Sequence, residues 1–276
     1  MARIITLAGV AEEERGKRKR DEKRPYVIHL PHCGLEIPAQ YMGDYYLNPL
    51  ELKDNTQQYA DLYTDGLFNS LYSEFGGVKN KYSRLFFDPE RFFNDDQEDM
   101  SKKGLGWFYE KAILEEKPLR HTQHKEEISK YYRDYHQELN DKTQKKLDLY
   151  GTCTIIDCHS FSNERYWFHD KSIEMPDICI GFEDEHVDME LVDIIKNRFK
   201  RYNVVVNSPY SGSFVPSNFY KKNTNVKSVM IAINKKLYLE PDNITKNKNY
   251  EEICLDFEII KDELRFLRNF KLPQSK

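Results

Sequence analysis

Short apolar runs alternate along the chain with longer segments whose apolar residues return at helical spacing. Tyr26–Leu30 reads as a strand stopped by Pro31. Residues 56–75 place Tyr59, Leu62, Tyr63, Leu67, Leu71 and Phe75 on one helical stripe, and Gly76-Gly77 ends it. Leu85–Phe87 is another short apolar run. Residues 106–149 read as helical with a break near Pro118, the long charged second part starting at about Lys125. Cys153–Ile156, Asp177–Gly181, Tyr202–Val206 and Ser228–Ile233 read as strands, with helices over Val187–Phe199 and Tyr250–Phe270. Strands joined by helices of this length require crossover connections, hence an α/β fold with a mostly parallel sheet covered on both faces.

Residues 1–24 break the pattern. From residue 11 onward they are almost entirely charged and show no apolar face, so a solvated N-terminal segment is expected there. Residues 25–276 are expected to form a single catalytic domain, since no composition shift marks a second boundary. Aromatic residues make up 13% of the chain and hydrophobic residues 39%, enough for a packed core despite 32% charged residues. The formal net charge of −4 provides no electrostatic reason to expect a nucleic-acid partner. No run approaches the ~18 apolar residues that would span a bilayer, and no secretory cleavage site is visible, so a cytoplasmic location is expected. The five cysteines, scattered and odd in number, fit reduced thiols better than a disulfide framework.

The histidines carry the chemical signal. His32 follows the first strand, and His159 follows the strand that begins at Cys153. Ligands bind at the carboxyl ends of parallel strands, where loops converge. Two imidazoles at matching strand ends form a candidate metal site. A catalytic zinc takes three protein ligands and keeps a fourth position open. For the third ligand, spacing leaves Asp61, Asp65, Glu36, Asp157 and Glu164 open; Asp61 and Asp65 would share a helix face, and Asp157 could instead orient an imidazole. Arg84 and Arg91 flank a short apolar run with Asp88 between them, and the planar fork of arginine suits a substrate carboxylate. His121 and His124 sit among lysines and glutamates, which fits exposure better than metal binding. Cys33 and Cys158 adjoin the two histidines but should point to the opposite face.

Eight motifs in order resemble the N-formylglutamate amidohydrolase family: PHCGLEIP (31–38), ADLYTDGLF (60–68), SRLFFDPER (83–91), Tyr135-His136 through Leu139, IIDCHSF (155–161), PDICIG (176–181), NSPYSG (207–212) and MIAINKKLY (230–238). The resemblance implies a three-layer α/β/α sandwich around a mixed, mostly parallel sheet, similar to zinc carboxypeptidases and aspartoacylase-like enzymes. It implies one Zn2+ per chain, held by His32, Asp61 and His159, with Glu36 as the alternative third ligand. It also implies a small N-acyl amino-acid substrate bearing a carboxylate, held by Arg91 with Arg84 in support, while His136 and Tyr210 line the pocket. The family strand that usually reads I-E-I-N-R is Ile231-Ala232-Ile233-Asn234-Lys235 here, so alanine stands where the family places its general base. Glu36 and Glu164 are the candidate substitutes. The alternatives are a member that binds without hydrolysing and a carboxypeptidase-like peptidase.

Overall fold

The computed structural model describes residues 24–169 and 172–267. Six strands, β1 (Tyr26–Leu30), β2 (Gly77–Lys79), β3 (Cys153–Phe161), β4 (Ile178–Gly181), β5 (Val204–Val206) and β6 (Val226–Asn234), form one sheet in the order β2-β1-β3-β6-β4-β5. Every neighbouring pair runs parallel except β4 with β6. The helices are α1 (Pro49–Tyr59), α2 (Thr64–Leu67), α3 (Asn69–Phe75), α4 (Lys125–Tyr150), α5 (Met189–Arg198) and α6 (Tyr250–Phe266). The sheet is mixed and mostly parallel, with helices on both sides, as the α/β/α expectation required.

Strand alternation sorts the core into two layers. Ile28, Leu30, Ile156, Cys158, Ile231 and Ile233 face one side, packed on Leu71 and Phe75 of α3, Leu191 and Ile195 of α5, and Phe257 and Ile260 of α6. Val27, Cys153 and Ile155 face the other, against Ile128, Tyr132, Tyr135 and Leu139 of α4. Burial on both faces is why the central strands read as almost unbroken apolar runs. α4 ends at Gly151, whose φ of 71° is the left-handed stop that turns the chain into β3.

The expected helix over 56–75 is broken in the structure, and the break matters. α1 starts earlier, at a capping box of Asn48 and Glu51 with Pro49 in its first turn, and ends before Ala60. Side chains then take carbonyls of the broken segment: Lys235 Nζ at 2.8 Å and Tyr166 Oη at 3.1 Å donate to Gln58 O, and Tyr238 Oη donates to Leu62 O at 2.9 Å. Tyr63 adopts φ 63° before the short α2. Asp61 and Asp65 therefore do not share a helix face. Asp61 is buried beside β1, its N–H bonded to His32 O at 3.0 Å, while Asp65 lies outside and pairs with Lys79.

Three further expectations change. Residues 106–124 form turns and isolated bridges instead of a helix, because Trp107, Tyr109, Ile113 and Leu119 must reach two aromatic core clusters while loop bonds such as Leu119 N–H to Glu110 O satisfy the backbone. Gly77, read as a helix stop, opens β2. β3 continues to Phe161, so His159 lies within the strand and not beyond its end. Residues 268–270 of the expected last helix and residues 1–23 of the charged segment lie outside the described residues. Among the described residues, no helix is long and apolar enough to cross a membrane. All five cysteines are unpaired.

The loop after β1 passes so close to residues 80–81 that a Cβ on Gly34 would overlap the Asn80 and Lys81 carbonyls. Gly34→Ala is expected to destabilise the protein by about 1–3 kcal/mol, as backbone overpacking does, measured as a lower urea midpoint.

Candidate metal centre and its cavity

Parallel register brings the chemistry together at one edge of the sheet. His29 of β1 is level with Asp157 of β3, and His159 is level with Ala232 of β6. Asp157 and His159, two apart on β3, share a face. His32 follows two residues after β1, the α1–α2 break supplies Asp61, and the turn at 88–91 supplies Asp88, Glu90 and Arg91.

His32, Asp61 and His159 are buried, and each offers one ligand atom within 4.8 Å of the others. His159 Nδ1 lies 3.0 Å from Asp61 Oδ2, and His32 Nδ1 lies 3.7 Å from the same oxygen. His32 donates from Nε2 to Asp88 Oδ1 at 2.8 Å, which fixes the tautomer and leaves Nδ1 buried with no hydrogen-bond partner. On the other ring, Nε2 lies 3.0 Å from Asp157 Oδ1 and 3.1 Å from Glu90 Oε1, which leaves Nδ1 facing Asp61. Two imidazole nitrogens and one carboxylate, each imidazole oriented by a second carboxylate, form a donor set that fits a divalent metal such as zinc.

The electrostatics agree. Burial pushes the Asp61 carboxyl up, but the hydrogen bond with His159 and the nearby His32 ring outweigh it and hold Asp61 below the usual carboxylate range. Burial and Arg84 push His32 down, and the Asp88 and Asp61 carboxylates more than reverse this. Burial likewise lowers His159, and Glu90, Asp157 and Asp61 together drive it well above the ordinary histidine value. This negative field is what a cation meets between the two rings.

A cavity of about 480 Å³ opens over the cluster, lined by His32, Asp61, Glu90 and His159 together with Arg84, Arg91, Tyr210, Ala232 and Lys235. Arg84 is locked to Asp88 Oδ2 at 2.7 Å and lies over the Tyr59 ring at 4.2 Å. Arg91 is freer, with Asp88 at 3.9 Å, Glu98 at 3.6 Å and no hydrogen bond at its buried Nε. Burial lowers the Lys235 ammonium to about 8.

Of the residues singled out from sequence, the structure gathers His32, Asp61, His159, Arg84, Arg91 and Tyr210 around one cavity. It does not bring in three others. Glu36 pairs with Lys81 at the surface, because its strand-like bridge to Tyr82 turns it away from His32. Glu164 is exposed on the loop after β3 and lines a separate pocket. His136 lies behind the cavity wall, its ring against Tyr132 at 4.1 Å and Phe214 at 5.5 Å. Cys158 turns into the opposite core layer. Sequence reading missed His29, which bonds Asp157 at 2.8 Å from Nδ1, and Glu90. The acidic residue beside Arg91 was the one available sign of Glu90. Asp88 was noticed only as a neighbour of two arginines.

A family model described as N-formylglutamate amidohydrolase matches residues 24–239. The chain belongs to the N-formylglutamate amidohydrolase family. The crystal structure of N-formylglutamate amidohydrolase from Ralstonia eutropha JMP134 is similar in fold, with a TM-score of 0.71 at 20% identity over 88% of this chain and 93% of that one. A gene product of Agrobacterium tumefaciens is similar at a TM-score of 0.61 and 17% identity, over 88% of this chain and 91% of the other. No functionally curated protein matches the chain in sequence. All the residues named above for the candidate metal centre and its cavity fall inside the span matched by the family model.

Asp88→Asn keeps the shape of the side chain but removes the charge that orients His32. It is expected to weaken metal binding by about 10–100-fold, the usual cost of losing such a partner, measured by competition with a chromophoric chelator. Burial lowers His136 to about 4, so it stays neutral in the folded protein while the unfolded chain titrates it at 6.5. The stability held by its neutral form is present above pH 6.5 and is lost as pH falls through 4. In His136→Phe, urea midpoints between pH 6.5 and 4 should fall less steeply than in the parent, by on the order of 3 kcal/mol over the window.

Proposed function

We propose that this amidohydrolase-family protein is a zinc-dependent hydrolase that cleaves the N-formyl or a related N-acyl amide of an acidic amino acid, giving formate and the free amino acid. The observation that carries the reading is the buried His32–Asp61–His159 set opening onto a cavity with an incompletely paired arginine on its wall. The family's description supports the reaction class.

His32 and His159 would bind through Nδ1 and Asp61 through Oδ2, since these are the atoms left facing one another. Zinc held there supplies Lewis acidity, which lowers the pKa of water and polarises a carbonyl. The remaining work belongs to the chain. Arg91 takes the substrate carboxylate in a bidentate grip, and Arg84, tied to Asp88, adds positive potential without leaving its partner. Lys235, in the place of the family's arginine, adds another cation to the same cavity. Tyr210 packs at a tilt against Phe161, ring centroids 5.5 Å apart, and both line the cavity.

One observation favours a second reading, a member that binds but does not hydrolyse. Ala232 is buried beside His159 and presents only a methyl group where the family places a proton acceptor. The two readings separate in a screen of N-formyl and N-acyl acidic amino acids with zinc-replete protein. The hydrolase reading expects turnover that a chelator abolishes and zinc restores, and a zinc-replete protein inert across the panel defeats it. Arg91→Met is expected to raise KM at least tenfold, since a bound charged group loses its partner, while a neutral amide analogue binds as before.

A further inference from the structure

The proton acceptor absent from position 232 has a counterpart elsewhere in the lining of the same cavity. We propose that Glu90 is the catalytic carboxylate of this protein and moves the proton from the attacking water to the leaving nitrogen. The proposal rests on the hydrolase reading above and deepens it.

Among the described residues, the carboxylates that line the cavity are Asp61 and Glu90. They are placed differently. Asp61 is almost fully enclosed and shares one oxygen between the two histidine Nδ1 atoms. Glu90 keeps a side-chain exposure of 20%, so its carboxylate meets the cavity. Its Oε2 lies 3.7 Å from His32 Nδ1, an atom that faces Asp61, while Oε1 is anchored 3.1 Å from His159 Nε2 on the far side of that ring. A water delivered between the rings therefore has Glu90 within reach, which is the first requirement of a general base.

The placement is built in. Asp88 Oδ1, which accepts from His32 Nε2, also accepts the Glu90 backbone N–H at 3.0 Å. The same carboxylate thus sets the ring that holds the metal and the backbone that carries the proposed base. Ala232 is level with His159 across β3 and β6 and lines the same cavity as Glu90.

The step balances as a hydrolysis. The water oxygen forms a bond to the acyl carbon and gives its proton to Glu90. The carbon–nitrogen bond then breaks, its electron pair stays on nitrogen, and Glu90 returns the proton there. The formic acid formed passes its remaining proton to the freed amine, so formate and the amino acid leave with that amine protonated, and Glu90 is again a carboxylate.

Glu90→Gln keeps the size of the side chain and removes the acceptor. It is expected to lower kcat by about 10²–10⁴-fold, with zinc per chain, measured by elemental analysis, and unfolding temperature both unchanged. Adding Ala232→Glu to that variant is expected to recover at least tenfold of the lost kcat by restoring a carboxylate beside His159. A zinc-replete Glu90→Gln protein with kcat within tenfold of wild type overturns the proposal. So does loss of zinc together with activity, which would make Glu90 a metal ligand, and so does a folded, zinc-replete double variant no faster than Glu90→Gln alone. Wild-type protein assayed in parallel separates the two levels. If it is inert, the hydrolase reading fails; if it turns over and Glu90→Gln does as well, only the role of Glu90 fails.

Discussion

The site depends on the buried carboxylate of Asp88. It has no solvent exposure, so it must be fully satisfied by the protein. One oxygen accepts from His32 Nε2 and the Glu90 backbone; the other accepts from Arg84 and from Tyr109 Oη at 2.6 Å. Burial pushes its pKa up, and Arg84 and His32 outweigh that, holding it well below the usual range. Because a buried charge with any partner removed costs several kcal/mol, these groups are held as a unit. The His32 imidazole, the arginine of the cavity wall and the turn carrying Glu90 and Arg91 all take their places from one side chain.

The rest of the centre is built on the sheet. Parallel pairing of β1 with β3 and of β3 with β6 places His29, Asp157, His159 and Ala232 in adjacent rows. Asp157 reaches both neighbouring imidazoles with Oδ1, and its other oxygen accepts the Phe214 N–H at 3.1 Å. Each ring of the candidate metal centre is therefore backed by its own aspartate, Asp88 for His32 and Asp157 for His159. Rigid strands and satisfied second partners are what hold metal ligands to the geometry that catalysis requires.

Much of this could be read along the chain. Periodicity and turn residues located β1, α4, β6 and most of the other elements, because both sheet faces are covered and the apolar pattern is dense. The histidine pair stood out because each reads as following a strand, and although His159 proves to lie within β3, it is still close to the carboxyl end. Spacing failed at Asp61. The apolar stripe through 56–75 is real, but the helix breaks where Lys235, Tyr166 and Tyr238 offer its carbonyls side-chain partners from far along the chain. Propensity carries no information about such partners. The same blindness produced a helix over 106–124, where distant aromatic clusters decide the path.

The sequence by itself determined the fold class, the family, the His32–His159 pair and the absence of a carboxylate at 232, since each is a matter of residue type, order or period. Only the tertiary structure decided which carboxylates reach that pair. Glu36 is four residues from His32 and turns away to Lys81, whereas Glu90 is far from both histidines in sequence and lies between them in space. The reason is physical: a side chain's destination is set by the backbone turn that carries it, and the turn at 88–91 is set by hydrogen bonds and ion pairs to a carboxylate whose other partners come from distant parts of the chain.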